Sequence, residues 1–275
     1  MPRKPVHPST LPPESRLRRS QLSLPPTDLL DAGTLPLTSA AAATRKSPRH
    51  ARNEDRYRIL DGGHPYVAAA RRGALFVICD GVSTVPRGRE AAELTVSRID
   101  SFFQRRPHVD SLRELVIEID WELRAGGKGS AACTLSLLWL ANGRATVVHI
   151  GDSQVYRVRH GEAMRITQAH RSGRGLGAYM GMGPEIGKVM QVWSDELFAG
   201  DLFLMVTDGV IEVVPVEELR ETWWALGSSP ALAAQAIINE VDNRHGTDDA
   251  TALVVDVLDV EAELSEGDPE PVRAG

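Results

Sequence analysis

Short apolar runs alternate with longer amphipathic segments along the middle of the chain. The apolar runs are rich in Val, Ile, Leu and Thr and are bounded by Gly, Asn or Asp, so they predict buried strands. Residues 154–159 (QVYRVR) alternate and predict a half-exposed strand, and Asn142-Gly143 predicts a hairpin turn. The buried strands are predicted at residues 75–79, 132–140, 145–150, 202–207 and 250–257.

Four segments with a period near 3.6 predict helices, at residues 88–106, 111–125, 216–226 and 229–243. Ser111, followed three residues later by Glu114, has the capping-box pattern and predicts a helix start at Ser111. Each helix pair lies between two predicted strands. This order predicts an α+β fold, a four-layer α-β-β-α sandwich in which two antiparallel central sheets are flanked by helix pairs.

The two ends of the chain lack either period. Residues 1–34 are rich in Pro, Ser and Arg and predict a disordered basic tail, and residues 260–275 predict an acidic flexible tail. The domain would then span residues 35–259. Residues 1–52 hold nine Lys or Arg against three Asp or Glu, so the formal charge of -6 leaves an acidic body. Such a body argues against nucleic acid as the main partner.

Cysteine use and hydropathy bear on the location of the protein. Cys79 and Cys133 lie in apolar runs, where buried, reduced thiols are expected. No apolar run reaches the roughly 18–20 residues that cross a bilayer. The basic N-terminus lacks the apolar core of a secretory signal. We therefore expect a cytoplasmic protein with no membrane span.

Carboxylates recur where the predicted strands begin or end. A charge at the end of a buried strand is costly unless it is paired or bound to a metal, and Lys and Arg are scarce beside these positions in the sequence. An all-oxygen set of ligands favours Mg²⁺ or Mn²⁺ over zinc. The five acidic clusters are Glu54-Asp55, Asp80, Asp152, Asp208 and Asp248-Asp249.

Seven motifs carry these clusters and stand in a fixed order. They are RNED (52–55), FVICDG (76–81), GSAACTLSLL (129–138), VVHIGDSQVYRVRHGE (147–162), ITQAH (166–170), LMVTDGVIE (204–212) and TDDATALVV (247–255). In this order the chain resembles the bacterial form of the metal-dependent Ser/Thr protein phosphatases of type 2C, over about residues 37–258. The resemblance implies a β-sandwich with paired helices. It also implies hydrolysis of phosphomonoesters by a water that bridges two Mn²⁺ or Mg²⁺ ions.

The resemblance implies a role for each matching carboxylate of the two-metal site. Asp80 would bridge the two ions, and the carbonyl group of Gly81 would bind one of them. Asp208 and Asp248 would be the other catalytic ligands, of the first ion. The pair Glu54-Asp55 would lie near the second ion, and which member touches it is left open.

A weaker third metal ion is implied at Asp152 and Glu212, together with Asp208. Two departures from the family lie near the metal sites. Val82-Ser83-Thr84 replaces the glycines that usually follow Asp-Gly and alters the loop by the metals, and the usual flap is truncated to HRSGRG or replaced by the Gly/Met-rich residues 177–187. Third-metal binding and substrate choice are therefore open. A catalytically weak or inactive regulatory protein that binds a phosphoprotein partner is the alternative.

A phosphate-binding arginine is also implied, four residues before the glutamate. That position is His50, so the neighbouring Arg49 and Arg52 are the candidate substitutes. The implied partners are a phosphorylated protein substrate and a Ser/Thr kinase, as in bacterial signalling. We expect the protein to be a monomer.

The GDS motif of HIGDSQVY (149–156) also fits a different enzyme class. With the later Asp242-x-x-His245, it matches an esterase pattern in which Ser153 is the nucleophile. The late position of this GDS argues against the esterase, which would also leave the other four acidic clusters unexplained. A GDS-type serine esterase is therefore the remote alternative.

Overall fold

The structure is a computed structural model that describes residues 35–126, 130–173, 175–225 and 229–260. The predicted basic tail, residues 1–34, lies outside the described residues, as does all but the first residue of the predicted acidic tail. In chain order the described elements are β1 (Leu37–Arg45), β2 (Arg56–Leu60), α1 (Pro65–Ala70), β3 (Ala74–Cys79), α2 (Gly88–Arg98), α3 (Val109–Ala125), β4 (Leu135–Ala141), β5 (Arg144–Ile150), β6 (Gln154–Arg159), β7 (Glu162–Arg165), β8 (Arg171–Ser172), β9 (Gly175–Leu176), α4 (Ile186–Val189), β10 (Gln191–Glu196), β11 (Leu202–Val206), α5 (Asp208–Ile211), α6 (Val216–Ala225), α7 (Pro230–Asn243) and β12 (Ala250–Asp259).

Two five-stranded antiparallel sheets form the centre of the molecule. The first has the strand order β1-β12-β11-β6-β7 and the second the order β10-β5-β4-β3-β2. Helix α7 packs on β1 and β12 with α6 beside it, while α2 and α3 cover the second sheet. The predicted four-layer sandwich is therefore confirmed. In the described residues, no helix is long and apolar enough to span a membrane.

The alternation of side chains along β11 shows why its sequence is apolar throughout. Phe203 and Met205 belong to the core that includes the second sheet, whereas Leu204 and Val206 belong to the core beneath α6 and α7. Successive side chains of a strand point to opposite faces, so a strand covered on both faces needs apolar residues at every position.

Several predicted boundaries differ from the structure, and one predicted exposure was wrong. The helix predicted from Ser111 begins at Val109, because His108 is its N-cap and accepts from the backbone N–H of Asp110. The helix predicted at 88–106 ends at Arg98 and continues as a 3₁₀ turn to Gln104. The strand predicted at 132–140 begins at Leu135.

Strand β6 is buried rather than half-exposed. Its Arg157 carries the charge that made the sequence pattern look amphipathic. The guanidinium pairs with Asp195 at 2.8 Å and lies over the ring of Trp193, so the side chain is covered by β10. The pattern missed β10 itself, and it also missed β1, whose alanine-rich sequence has little strand propensity and which pairs with β12 along its whole length.

The short helix α5 packs against the start of β12 without room for a side chain. A Cβ added at Gly209 would lie 1.9 Å from the carbonyl oxygen of Asp249. This close approach brings the loop that carries Asp208 next to the loop that carries Asp248. Glycine at position 209 is therefore a condition for the two loops to meet.

We expect Gly209→Ala to lower the free energy of unfolding by about 1–3 kcal/mol, because the added methyl group forces α5 and β12 apart. Chemical denaturation measures this loss. Gly187→Ala is the matched control, since its Cβ would meet only the Cδ1 of Ile117 at an ordinary 3.6 Å. Equal stability of Gly209→Ala and wild type would contradict the close packing.

Candidate metal centre

Carboxylates from both sheets meet at one edge of the sandwich. Asp80 follows β3 and Asp55 precedes β2 in the second sheet, while Asp208 follows β11 in the first. Asp208 raises the pKa of the Asp80 carboxyl group, so the two side chains lie close together across the two sheets. The strand ends therefore bring together the three residues that the sequence placed at separate strand mouths.

Asp55 ties the two sheets together at this edge. Its Oδ2 accepts hydrogen bonds from the hydroxyl groups of Thr207, at 2.9 Å, and Thr251, at 2.7 Å, which belong to the first sheet. Its Oδ1 is buried and has no hydrogen-bond partner among the described residues, and the same holds for the Oε2 of Glu54. Each of these buried oxygens is thus available to a cation.

The pKa values of the carboxyl groups of Asp55, Asp80 and Asp208 are all raised. Loss of water around the carboxyl is the largest cause in each case. It raises the pKa of Asp55 to about 7 and that of Asp208 to about 6. The pKa of Asp80 is also raised well above its usual range, by burial and then by the charges of Asp55 and Asp208. Clustered, desolvated oxygen ligands of this kind fit a hard divalent cation.

Asp248 and Asp249 have different surroundings although they are adjacent. Asp248 is partly exposed, whereas Asp249 is buried and holds the loop before β2 in place. Asp249 accepts from the backbone N–H groups of Ser47, at 2.5 Å, and Glu54, at 2.9 Å, and also binds Nδ1 of His50 at 2.9 Å. The hydrogen bond to Asp249 is the largest cause that raises the pKa of His50. The sequence pattern had grouped these two aspartates without separating their roles.

Thr134 fixes Asp80, and it is a residue that the sequence analysis missed. The backbone N–H of Asp80 donates to the hydroxyl oxygen of Thr134 at 2.9 Å, and the N–H of Thr134 donates to the carbonyl oxygen of Asp80 at 2.7 Å. The same hydroxyl group lies 3.0 Å from the Oγ of Ser153. Its only sequence signal is a Thr just before an apolar run, which many proteins contain.

The same contacts account for the GDS motif. Ser153 is fully buried against Thr134, while His245 is exposed beyond the end of α7. Asp242 pairs with Arg45 at 3.1 Å instead of orienting that histidine. The esterase arrangement is therefore not formed, and Ser153 supports Asp80 through Thr134.

Asp152 and Glu212 lie with Asp208 along a groove of about 520 Å³. Arg171 also lines this groove, and its Nη2 lies 3.1 Å from the Oδ2 of Asp152 and 4.0 Å from the Oδ2 of Asp208. Burial raises the pKa of Asp152, and the charge of Arg171 opposes that rise. In the sequence, Arg52 and Arg56 flank only the Glu54-Asp55 cluster, whereas the fold brings Arg171 to Asp152 and Asp208.

Arg49 and Arg52 line a neighbouring groove of about 470 Å³, together with Glu54. Both arginines are exposed. Ser83 lines both grooves, so the two adjoin at that residue. The structure thus places the two arginines beside the carboxylate cluster rather than within it.

Comparison with known proteins links this arrangement to phosphatases. The sequence matches the family described as Stage II sporulation protein E (SpoIIE) over residues 73–258. Serine/threonine protein phosphatase PstP of Mycobacterium tuberculosis is 26% identical in an alignment of length 256 that covers 82% of this chain and 48% of that protein. The chain therefore spans about half the length of the curated relatives it matches.

Solved structures of phosphatases share the fold. MsPP, a PPM Ser-Thr phosphatase from Mycobacterium smegmatis solved in complex with cacodylate, has a TM-score of 0.66 at 23% identity, covering 80% of this chain and 98% of that one. The catalytic domain of PstP in complex with two manganese ions has a TM-score of 0.64 at 23% identity, covering 81% of this chain and 99% of that one.

Replacing Asp208 by Asn should stabilise the metal-free protein at about pH 8. The folded state raises the pKa of Asp208 to about 6, whereas an unfolded Asp titrates near about 3.9. The ionised form therefore costs stability above about pH 6, and the cost disappears as the pH falls towards about 4. We expect a gain of on the order of 1–3 kcal/mol in urea unfolding with a chelator at about pH 8, and a smaller gain at about pH 5.

Asp195→Asn is the control for this measurement, because the hydrogen bond from Arg157 lowers the pKa of Asp195. That variant should show no gain at either pH. Added Mn²⁺ should stabilise the wild type more than Asp208→Asn. A variant that is no more stable than wild type at about pH 8 would mean that the carboxylate cluster is not strained.

Proposed function

The chain belongs to the SpoIIE (Stage II sporulation protein E) family, and we propose that it is a metal-dependent phosphatase of phospho-Ser/Thr proteins. The observation that carries the proposal is the cluster of Asp55, Asp80 and Asp208 where the two sheets meet. Burial raises the pKa of all three carboxyl groups, and the charges of Asp55 and Asp208 raise that of Asp80 further. The Oδ1 of Asp55 is buried without a hydrogen-bond partner in the described chain. Two divalent cations would offset this concentration of charge.

The ligands proposed for Mn²⁺ or Mg²⁺ are Glu54, Asp55, Asp80, Asp208, Asp248 and the carbonyl oxygen of Gly81. When bound, such ions supply a hydroxide nucleophile at neutral pH and offset charge on the phosphoryl oxygens. Of these side chains, Asp80, Asp208 and Asp248 are proposed as the catalytic set. A side-chain nucleophile is not required, which agrees with the buried position of Ser153.

The chain's own hydrogen bonds orient these ligands before any ion binds. Thr134 holds the backbone of Asp80 on both sides, and Asp249 holds the backbone of Glu54. The hydroxyl groups of Thr207 and Thr251 both donate to one oxygen of Asp55, which favours its ionised form and leaves the other oxygen for a cation. Preorganised ligands of this kind lower the reorganisation needed for catalysis.

Arg49 and Arg52 are proposed to bind the phosphoryl group or its neighbouring anionic residues. Their support is position: both line the groove that adjoins the carboxylate groove at Ser83. The two open grooves suit a phosphorylated segment of a protein better than an enclosed small molecule. A Ser/Thr kinase would supply such a substrate.

The oligomeric state and the location of the protein are also part of the proposed function. We propose that it acts as a monomer in the cytoplasm. The buried, unpaired thiols of Cys79 and Cys133 are in keeping with a reducing compartment.

Purified chain should hydrolyse p-nitrophenyl phosphate and phospho-Ser/Thr peptides in the presence of Mn²⁺ or Mg²⁺. Asp80→Asn should lower kcat/KM at least about 100-fold, because the metal site loses its shared ligand. Asp100→Asn is the matched control, since Asp100 pairs with Arg58 at the surface. A chelator should abolish turnover, and a serine-directed fluorophosphonate should leave it intact.

Wild-type protein that binds phosphopeptide without turning it over, whichever ion is added, would contradict the proposal. It would instead identify the chain as a regulatory protein of the same fold. Loss of activity with the fluorophosphonate alone would point to the serine esterase.

A further inference from the structure

Arg171 lies against the carboxylates at which the family resemblance implies a third metal ion. Its Nη2 is 3.1 Å from the Oδ2 of Asp152 and 4.0 Å from the Oδ2 of Asp208. The side chain of Asp152 is only 9% exposed, whereas that of Arg171 is 54% exposed. The guanidinium thus covers the buried carboxylate from the groove side.

Backbone contacts, and not charge attraction alone, set this position. His170 makes two hydrogen bonds to Gly151. Its N–H donates to the carbonyl oxygen of Gly151 at 2.7 Å, and its Nδ1 accepts from the Gly151 N–H at 3.0 Å. The residues that follow, Asp152 and Arg171, are therefore held side by side. The N–H of Gly177 closes the other side of the β8–β9 pair by donating to the carbonyl oxygen of His170 at 2.7 Å.

A second pair of hydrogen bonds fixes the segment just before His170. The backbone N–H of Gln168 donates to the side chain of Gln191 at 3.0 Å, and the amide group of Gln191 donates back to the carbonyl oxygen of Gln168 at 2.8 Å. Residue 191 belongs to β10 at the edge of the second sheet. The segment that delivers Arg171 is thus fixed to the sandwich at both Gln168 and His170.

We propose that the guanidinium of Arg171 takes the place of a third metal ion between Asp152 and Asp208. The chain then binds two catalytic cations and supplies the third positive charge itself. Arginine suits this position because it is always protonated and presents several N–H donors to carboxylate oxygens. The inference rests on the proposed two-metal function.

The shortened flap is consistent with this role of Arg171. A third metal ion needs a full set of oxygen ligands, whereas a guanidinium needs only the two carboxylates it contacts. A short hairpin that carries one arginine is therefore sufficient at this edge. Arg171 is a positioning residue for Asp152 and Asp208 in this account, since nothing requires it to touch the substrate.

Counting bound Mn²⁺ on the metal-stripped full chain tests the inference without relying on activity. Free Mn²⁺ is measured by electron paramagnetic resonance during titration of wild type, Arg171→Ala, Arg171→Lys and the double variant Arg171→Ala with Asp152→Asn. We expect two ions on wild type and a third on Arg171→Ala, bound at least about tenfold more tightly than any third ion on wild type, or about 1.4 kcal/mol.

The remaining variants locate that third ion. Arg171→Lys should keep two ions because it keeps the charge, and the double variant should return to two because it loses the carboxylate. Arg171→Gln replaces Arg171→Ala if the alanine protein does not fold. Equal third-ion affinity in wild type and in the neutral variant would overturn the inference and leave the two-metal function standing. Wild type that binds no Mn²⁺ would overturn both.

Discussion

Carboxylates from two different sheets are held together at one edge of the sandwich, and the rest of the site depends on that contact. Asp80 follows a strand of one sheet, Asp208 follows a strand of the other, and the charge of Asp208 raises the pKa of Asp80. Like charges that are brought together out of water destabilise the fold unless protons or cations neutralise them. The fold tolerates this destabilisation because the buried, regular layers around the cluster stabilise the folded state.

The supports around the cluster explain how the cost is contained. Thr134, Thr207 and Thr251 contribute hydroxyl groups, and Asp249 binds backbone N–H groups, so Asp80, Asp55 and Glu54 are held by bonds that need no ion. The carboxylate oxygens are therefore held in fixed positions. Fixed oxygen ligands favour tight binding of small, hard cations over binding of larger ligands that need the site to change shape.

Much of the fold could be predicted from the sequence because the central strands are apolar on both faces and the four long helices are periodic. Strand β1 could not, since an alanine-rich segment becomes a strand only by pairing with β12, more than two hundred residues later. The strand-end aspartates were visible for a local reason: each directly adjoins an apolar run. Their metal roles stay predictions until ions are measured.

The supporting residues were not visible because their contacts are long-range. Thr134 contacts Asp80 across the β3–β4 pair. Arg171 contacts Asp152 because His170 is hydrogen-bonded to Gly151. No local pattern distinguishes such residues from ordinary turn or surface positions. The sequence left third-metal binding open at the short flap, and the structure shows that this segment brings the charged side chain of Arg171 to the groove.

Anomalous diffraction at the manganese absorption edge, from crystals of the full chain grown with Mn²⁺, is the decisive experiment. We expect two anomalous peaks within bonding distance of the Asp80 carboxylate, one of them also next to Asp208. A carboxylate cluster without any peak, or with a single peak confined to His50 and Asp249, would contradict it.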